Sequence, residues 1–334
     1  MDRERPRGPV TRLRPLTERI LDYLPGPRAL WVVAWALVPT VNAGVKTLLD
    51  IESSAVAEQS TVLSVLNYAA LTLGVVLTLW GTRRIVRRLD ALRETTAQVF
   101  EERSPRELFR GMNSVVGPIV LATAIAVVLG AGSFADAGWL AAILRGASWF
   151  VLGIAFWTFL WVYGSLQLGL DRLGQEHVRA DAAMGDPGLG LRPLGGVAFM
   201  GLWMLLAWLV PIVLTGLPDV IGVVIGVLIL AAGLAAFFLS LVRLHRQMVD
   251  VKARELAIAR RLFVQAYEPV RDQPTVETLE RQQRALAAAD ALERRAHAIH
   301  DWPIDEGTFA RVLTIATSVV GITIARLILD PFGL

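Results

Sequence analysis

Cysteine is absent from this chain, and histidine and lysine are scarce. The 334 residues include no cysteine, four histidines and two lysines, Lys46 and Lys252. Without cysteine the chain can form neither disulfides nor thiolate-based zinc or iron–sulfur sites. The long apolar stretches also lack ionisable residues near their centres, where such residues would mark proton relays or intramembrane catalysis. We therefore expect no enzyme activity, no catalytic residues, no metal site and no cofactor.

Apolar residues are abundant instead, and they are gathered into long runs. They make up 54% of the chain, and the mean hydropathy is +0.52. Runs of roughly 18–25 residues have the length of a helix that crosses about 30 Å of hydrocarbon. Only helices are expected within them, because lipid offers no hydrogen-bond partners to free backbone groups. The predicted fold class is an all-α integral membrane protein with six to seven transmembrane helices.

Six strong candidate spans and one weaker candidate follow from these runs. The six strong spans are residues 29–49, 61–82, 114–134, 146–169, 194–216 and 220–242. The seventh, residues 309–329, is weaker because Arg311 and Arg326 lie only roughly 22 Å apart along a helix. It could cross the membrane or lie at the interface.

The distribution of arginine predicts the orientation of the spans. Arginines crowd the segments before the first span, between the second and third, after the fourth and after the sixth. The alternate connections are short and carry at most one arginine each. The positive-inside rule then places the N-terminus in the cytoplasm and arranges the six strong spans as three hairpins. We expect a multi-pass protein of a bacterial plasma membrane.

This topology divides the chain into four parts. They are a cytoplasmic N-terminal segment (1–28), a transmembrane domain (29–242) with an amphipathic cytoplasmic linker (83–113), a cytoplasmic helical hairpin (243–307) and a C-terminal transmembrane or interfacial helix (308–334). In the cytoplasmic hairpin the sixth span continues as a helix with an apolar stripe of Leu244, Met248, Val251, Ile258 and Leu262. Pro269 and Pro274 should interrupt it, with Pro274 in the first turn of a second helix over about 275–300. That second helix carries a narrow apolar stripe of Leu279, Leu286, Ala289, Ala296 and Ile299.

A basic segment follows the second span. Arg83 and Arg87, and likewise Arg84 and Arg88, are one helical turn apart. An amphipathic helix here would lie against anionic lipid headgroups. The alternative is an ordinary positive flank that only fixes the topology.

Several uncharged or weakly charged polar residues lie within the spans and are candidates for a pore. Asn42 and Lys46 follow Pro39 in the first span, where the helix could be broken, and Asn67 lies in the second span. They could line a water path in which Lys46 favours anions. Alternatively, Lys46 reaches outward to the interface and Asn42 bonds a neighbouring helix.

Helix packing is predicted from small and aromatic residues. Gly222 and Gly226 of the sixth span are spaced for close helix approach, either within one subunit or between subunits. The fourth span is rich in aromatic residues, and Trp149 and Tyr163 fall near its opposite ends, as lipid-facing aromatic residues do.

Three functions fit these features. The first, which the sequence favours, is a homo-oligomeric ion channel with a cytoplasmic helical region for assembly or gating. The second is a membrane scaffold or sensor that presents the helical hairpin to a cytosolic partner. The third is a transporter of lipid or an apolar solute along Trp157 and Trp161 of the fourth span. The expected partners are anionic membrane lipids, copies of the chain and a cytosolic protein. Nucleic acid is not expected, because topology explains the arginine runs.

Overall fold

All regular structure in the described part of the chain is helical. The computed structural model describes residues 13–48, 61–92, 108–175, 188, 191–215 and 220–303, and seven separate positions between 307 and 321. Its helices are α1 (Leu16–Tyr23), α2 (Arg28–Ala36), α3 (Val38–Leu48), α4 (Thr61–Ala91), α5 (Val116–Leu173), α6 (Arg192–Thr215), α7 (Val220–Asp272) and α8 (Val276–Ala298), with a 3-10 turn (Arg110–Asn113) before α5. The predicted all-α class is confirmed.

Four helical segments within the described ranges are long and apolar enough to cross a membrane. They are Tyr68–Ala91, Gly138–Leu173, Arg192–Leu209 and Leu228–Asp272, and the bent pair α2–α3 makes a fifth if it is one span. The apolar helix Val116–Gly132 is shorter. The count of six to seven spans and their arrangement as three hairpins remain predictions. Most of the predicted seventh span, 309–329, lies outside the described residues.

The predicted first span contains a bend, which lies before Pro39 and its polar neighbours. Helices α2 and α3 meet at Leu37 with a bend of 46°. Pro39 lies in the first turn of α3, where its missing N–H is tolerated but cannot continue the hydrogen-bond ladder of α2. The indole Nε1 of Trp35 donates to the carbonyl oxygen of Val151 at 2.8 Å, which fixes α2 against α5.

Helix α5 is two antiparallel helices joined at Gly138. This residue has φ 78° and ψ −177°, a conformation that favours glycine. Small residues let the first half of α5 (116–137) approach the second half (Gly138–Leu173) closely. The contacting pairs are Gly130 with Ala142, Ala126 with Gly146, and Ala122 with Gly153. The residue numbers in the first half fall from 130 to 122 while those of their partners in the second half rise from 142 to 153. The two halves therefore run in opposite directions.

A central core is formed by α4, the second half of α5, α6 and α7. Its largest fully buried side chains include Phe159, Leu166, Leu202, Leu205, Phe237 and Leu241. A side chain added at Gly74 or Gly81 of α4 would meet Trp208 or Met204 of α6, respectively, so α4 and α6 run antiparallel. Apolar side chains therefore fill the space between these helices.

The aromatic residues of the fourth span pack inside the protein more than expected. Phe159 is fully buried, Tyr163 is 3% exposed, and the Phe156 ring stacks on Trp208 with centroids 3.9 Å apart. The indole of Trp161 donates to the carbonyl oxygen of Gly111 at 2.9 Å. The expectation that Tyr163 faces lipid is wrong, because α6 and α7 cover this side of α5.

The sixth span continues without a break, as predicted, and α8 packs back along it. Pro269 lies inside α7, so the prediction that it interrupts the helix is wrong. It falls in the last turn, and the helix ends three residues later at Asp272. Pro274 also does not enter the second helix, because Thr275 is the N-cap of α8. Thr275 and Thr278 form a capping box, in which the Thr275 hydroxyl accepts from the Thr278 N–H at 3.3 Å.

Candidate functional site

The arginine-bearing helix ends lie together at one end of the protein, which we call the basic end. It comprises the C-terminal ends of α4 and α5, the start of α6 and the part of α7 around residue 243. Arg243 Nη1 lies 2.7 Å from Asp171 Oδ2, and Gly174 lies against the backbone of Arg243. Helix α7 is thus joined to the second half of α5 at the point where the apolar segment of each helix ends.

An apolar cluster underlies the basic end and makes it rigid. The cluster draws buried residues from α4, the segment before α5, α5, the start of α6 and α7, and these include Ile85, Leu89, Leu108, Met112, Leu170, Leu191, Leu244 and Met248. Leu244, Met248 and Val251 of the predicted apolar stripe are buried. Its last two members, Ile258 and Leu262, are exposed, so the prediction is wrong for them, because Ala259 and Ala266 are the residues buried in that part of α7. The base of the long α7 helix is therefore held by several helices at once.

The described part of the N-terminal segment is also docked at this end. Leu16 and Leu21 of α1 are buried. The backbone N–H of Arg14 donates to Asn113 Oδ1 at 2.6 Å, and Arg19 Nη2 donates to the Asn113 carbonyl oxygen at 3.1 Å. These bonds tie the N-terminal segment to the turn that precedes α5.

A cluster of opposite charges connects α1, α2 and α4. Arg28 forms ion pairs with Glu18 and Asp22, and Arg83 lies close enough to this group to interact with it electrostatically. Arg83 is half-buried, whereas Arg84, Arg87 and Arg88 are exposed. The four predicted headgroup residues thus separate into one that faces α1 and three that face outward.

The predicted pore residues are only partly described. Asn42 is half-buried in α3. Lys46 and Asn67 lie in helices, but their side chains are outside the described part of the structure. Gly222 is helical, and Gly226 is helical and buried.

Sequence reasoning missed a row of polar contacts between α5 and α7. The Tyr163 hydroxyl donates to the Gly233 carbonyl oxygen at 2.8 Å, and the Ser240 hydroxyl donates to Gln167 Oε1 at 2.6 Å. Tyr163, Gln167 and Asp171 follow one another at intervals of four residues, about one helical turn. This spacing could have revealed a polar stripe on one face of the fourth span. The contacts set the register of α5 against α7.

Helices α7 and α8 form a hairpin, which we call the α7–α8 hairpin (residues 243–298), with alanine at its seam. Ala259 and Ala266 of α7 and Ala289 and Ala296 of α8 are all at most 5% exposed. In both helices the buried alanines are seven residues apart, the repeat of a coiled coil. Small side chains at these positions let the two backbones approach closely.

The base of the α7–α8 hairpin is closed by the residues that follow α8. The Trp302 ring stacks on the His245 imidazole with centroids 4.1 Å apart, and Lys252 Nζ lies 2.8 Å from Asp301 Oδ1. These contacts hold the end of α8 against α7 at the basic end.

The far end of the α7–α8 hairpin exposes large apolar side chains, which we call the tip patch. Phe263 and Tyr267 are one turn apart on α7, and their rings stack with centroids 5.8 Å apart. Their exposed fractions are 42% and 45%, and Val276 and Leu279 of α8 are 73% and 51% exposed. Of the predicted stripe of α8, Ala289 and Ala296 are buried at the seam. Leu279 is exposed, so the prediction is wrong for this residue, because alanines make the close contact between the helices.

Comparisons with known proteins add no functional assignment. The chain matches no protein-family model, no curated protein and no solved structure. Among the described residues, no group of three His, Asp or Glu side chains is placed to hold a metal ion.

Proposed function

We propose that this chain is a membrane-anchored scaffold or sensor that presents the α7–α8 hairpin to a cytosolic protein partner. The observation that carries the proposal is the continuity of α7, whose 53 residues run from an apolar segment into the exposed hairpin. About 45 Å of this helix extends beyond Arg243. A helix anchored in this way transmits position and orientation from the membrane to its far end.

The chemistry of the hairpin supports presentation to a protein. The alanine seam and the contacts of Trp302 and Asp301 hold its base together. At the other end, α7 exposes two stacked aromatic rings and the start of α8 exposes Val276 and Leu279. Contiguous exposed apolar side chains are typical of protein-binding surfaces, and aromatic residues contribute most to such contacts.

Site-specific photo-crosslinking tests this function. We expect a benzophenone amino acid at Tyr267 to give a discrete heterologous adduct in cells, and the same group at exposed Ala257, on the side of α7 away from the seam, to give none. The double substitution Phe263→Gln and Tyr267→Gln should abolish binding of the partner that the adduct identifies, because glutamine keeps the helix but removes the apolar contact. Equal adducts at both positions, or adducts of only the chain with itself, would contradict the proposal.

A homo-oligomeric ion channel is the second candidate, and the break between α2 and α3 favours it. Irregular backbone at membrane depth is tolerated where it lines water or is buried in protein. Because apolar side chains such as Phe159 and Phe237 fill the space between the helices, a path would have to run between subunits.

Recordings from planar bilayers test the channel. We expect an anion-selective conductance in which Lys46→Glu shifts the reversal potential toward cation selectivity, because a ring of acidic side chains attracts cations. A monomeric protein that gives no current would remove this candidate while leaving the scaffold proposal intact.

A further inference from the structure

Helix α4 carries an exposed basic face that begins at a tryptophan. Successive helical residues are rotated by about 100°, so Trp80, Arg84, Arg87 and Arg88 share roughly one-third of the helix circumference. All four are exposed. The opposite face, with Ile85, Val86 and Leu89, is at most 6% exposed and belongs to the apolar cluster of the basic end. The arginine backbones are therefore fixed by packing while their side chains face outward.

Trp80 indicates where this face meets the membrane. Its ring is 46% exposed, and the guanidinium carbon of Arg84 lies over it, 5.0 Å from the ring centroid. Tryptophan is favoured at the boundary between hydrocarbon and headgroups. From Trp80 to Arg88 the helix rises about 12 Å, so Arg84, Arg87 and Arg88 would extend through the headgroup layer.

Arg83 has a different environment from its three neighbours. It is half-buried and interacts with Arg28, Glu18 and Asp22 at the junction with α1 and α2. It therefore belongs to the charge cluster of α1, α2 and α4 and not to the outward face. The segment 80–92 has four arginines and one acidic residue, Asp90, so the outward face remains strongly positive.

We propose that Trp80, Arg84, Arg87 and Arg88 form a binding site for the headgroup of an anionic phospholipid. Guanidinium groups bind phosphate oxygens through paired hydrogen bonds, and the tryptophan ring contacts the glycerol and acyl region beside them. The stacking of Arg84 on Trp80 restricts one guanidinium before the lipid arrives. This site does not depend on the proposed role of the α7–α8 hairpin.

Lipid retention by the full chain tests the site. After delipidation in neutral detergent, phosphatidylglycerol and phosphatidylcholine would be titrated separately, with bound lipid counted by native mass spectrometry. We expect the triple substitution Arg84→Gln, Arg87→Gln, Arg88→Gln to weaken phosphatidylglycerol binding at least tenfold. Each arginine near an anionic surface contributes about 1 kcal/mol, and about 1.4 kcal/mol corresponds to a factor of ten.

Two matched variants keep the result interpretable. The triple substitution Arg260→Gln, Arg261→Gln, Arg284→Gln removes the same charge from exposed positions of the α7–α8 hairpin and should leave lipid binding unchanged. Replacing the three α4 arginines with lysine should retain most of the binding, since the charge is kept. If the glutamine variant of α4 binds phosphatidylglycerol like the unaltered chain, or the hairpin variant loses binding equally, the site is refuted. If inorganic phosphate raised the unfolding temperature of the protein as much as phosphatidylglycerol does, the face would bind soluble anions and the lipid site would be refuted.

Discussion

Replacing Gly130 with leucine is expected to separate the two halves of α5 and to destabilise the protein severely. A Cβ atom at this position would lie 3.0 Å from the carbonyl oxygen of Ala142 and close to the backbone of Gly146. Backbone atoms cannot move aside as a flexible side chain can, so the helices themselves must move apart. Overpacking a close contact costs about 1–3 kcal/mol, and a leucine against backbone should reach or exceed the upper end.

Gly132 provides the matched control for this substitution. It lies two residues further along the same helix and has open space around the position of an added Cβ. Gly132→Leu should therefore leave the thermal unfolding temperature in detergent nearly unchanged, whereas Gly130→Leu should lower it by several degrees or prevent purification of folded protein. Similar unfolding temperatures for the two variants would contradict the packing of the two halves of α5.

Replacing Ala289 with leucine is expected to open the α7–α8 hairpin. Ala289 is 1% exposed and lies on the seam, so a larger side chain must push α8 away from α7. A cost of about 1–3 kcal/mol raises the population of the open hairpin by a factor of roughly 5 to 150. Trypsin cleavage at the α8 arginines, including Arg281 and Arg284, should accelerate correspondingly.

Ala288 is the control for the hairpin, because it is the preceding residue of the same helix and is exposed. Ala288→Leu adds the same atoms on the outer surface and should not change the rate of cleavage. Faster cleavage in both variants would show that leucine acts through helix α8 itself and would argue against the alanine seam.

The sequence predicted the features that depend on local patterns. Hydropathy and helical periodicity predicted the all-α class and the continuation of α7. They also predicted the burial of Leu244, Met248 and Val251. The break in the first span followed from Pro39 and its polar neighbours. In each case a few neighbouring residues decide the structure, so no knowledge of the rest of the fold is needed.

The features that were not predicted depend on contacts between distant residues. Leu279 belongs to the same predicted stripe as Ala289 and Ala296, yet it is exposed while the two alanines are buried. Helices that pack this closely leave room only for small side chains at the contact. The glycine contacts within α5 likewise require knowledge of which helices are neighbours. Pro269 was expected to interrupt α7, but it lies inside the last turn of that helix. The division of the α4 arginines depends on the docking of α1, which no local pattern reveals.

The orientation of the basic end relative to the membrane is the claim on which the other proposals depend. The chain has no cysteine, so single cysteines can be introduced without any background. Cysteine would replace Gln283, exposed on α8 of the hairpin, and separately Ser60, in the short connection predicted to lie outside. With a membrane-impermeant maleimide, we expect Ser60→Cys to react in intact cells and Gln283→Cys to react only after permeabilisation. Labelling of Gln283→Cys in intact cells, with Ser60→Cys protected, would reverse the topology and contradict the account.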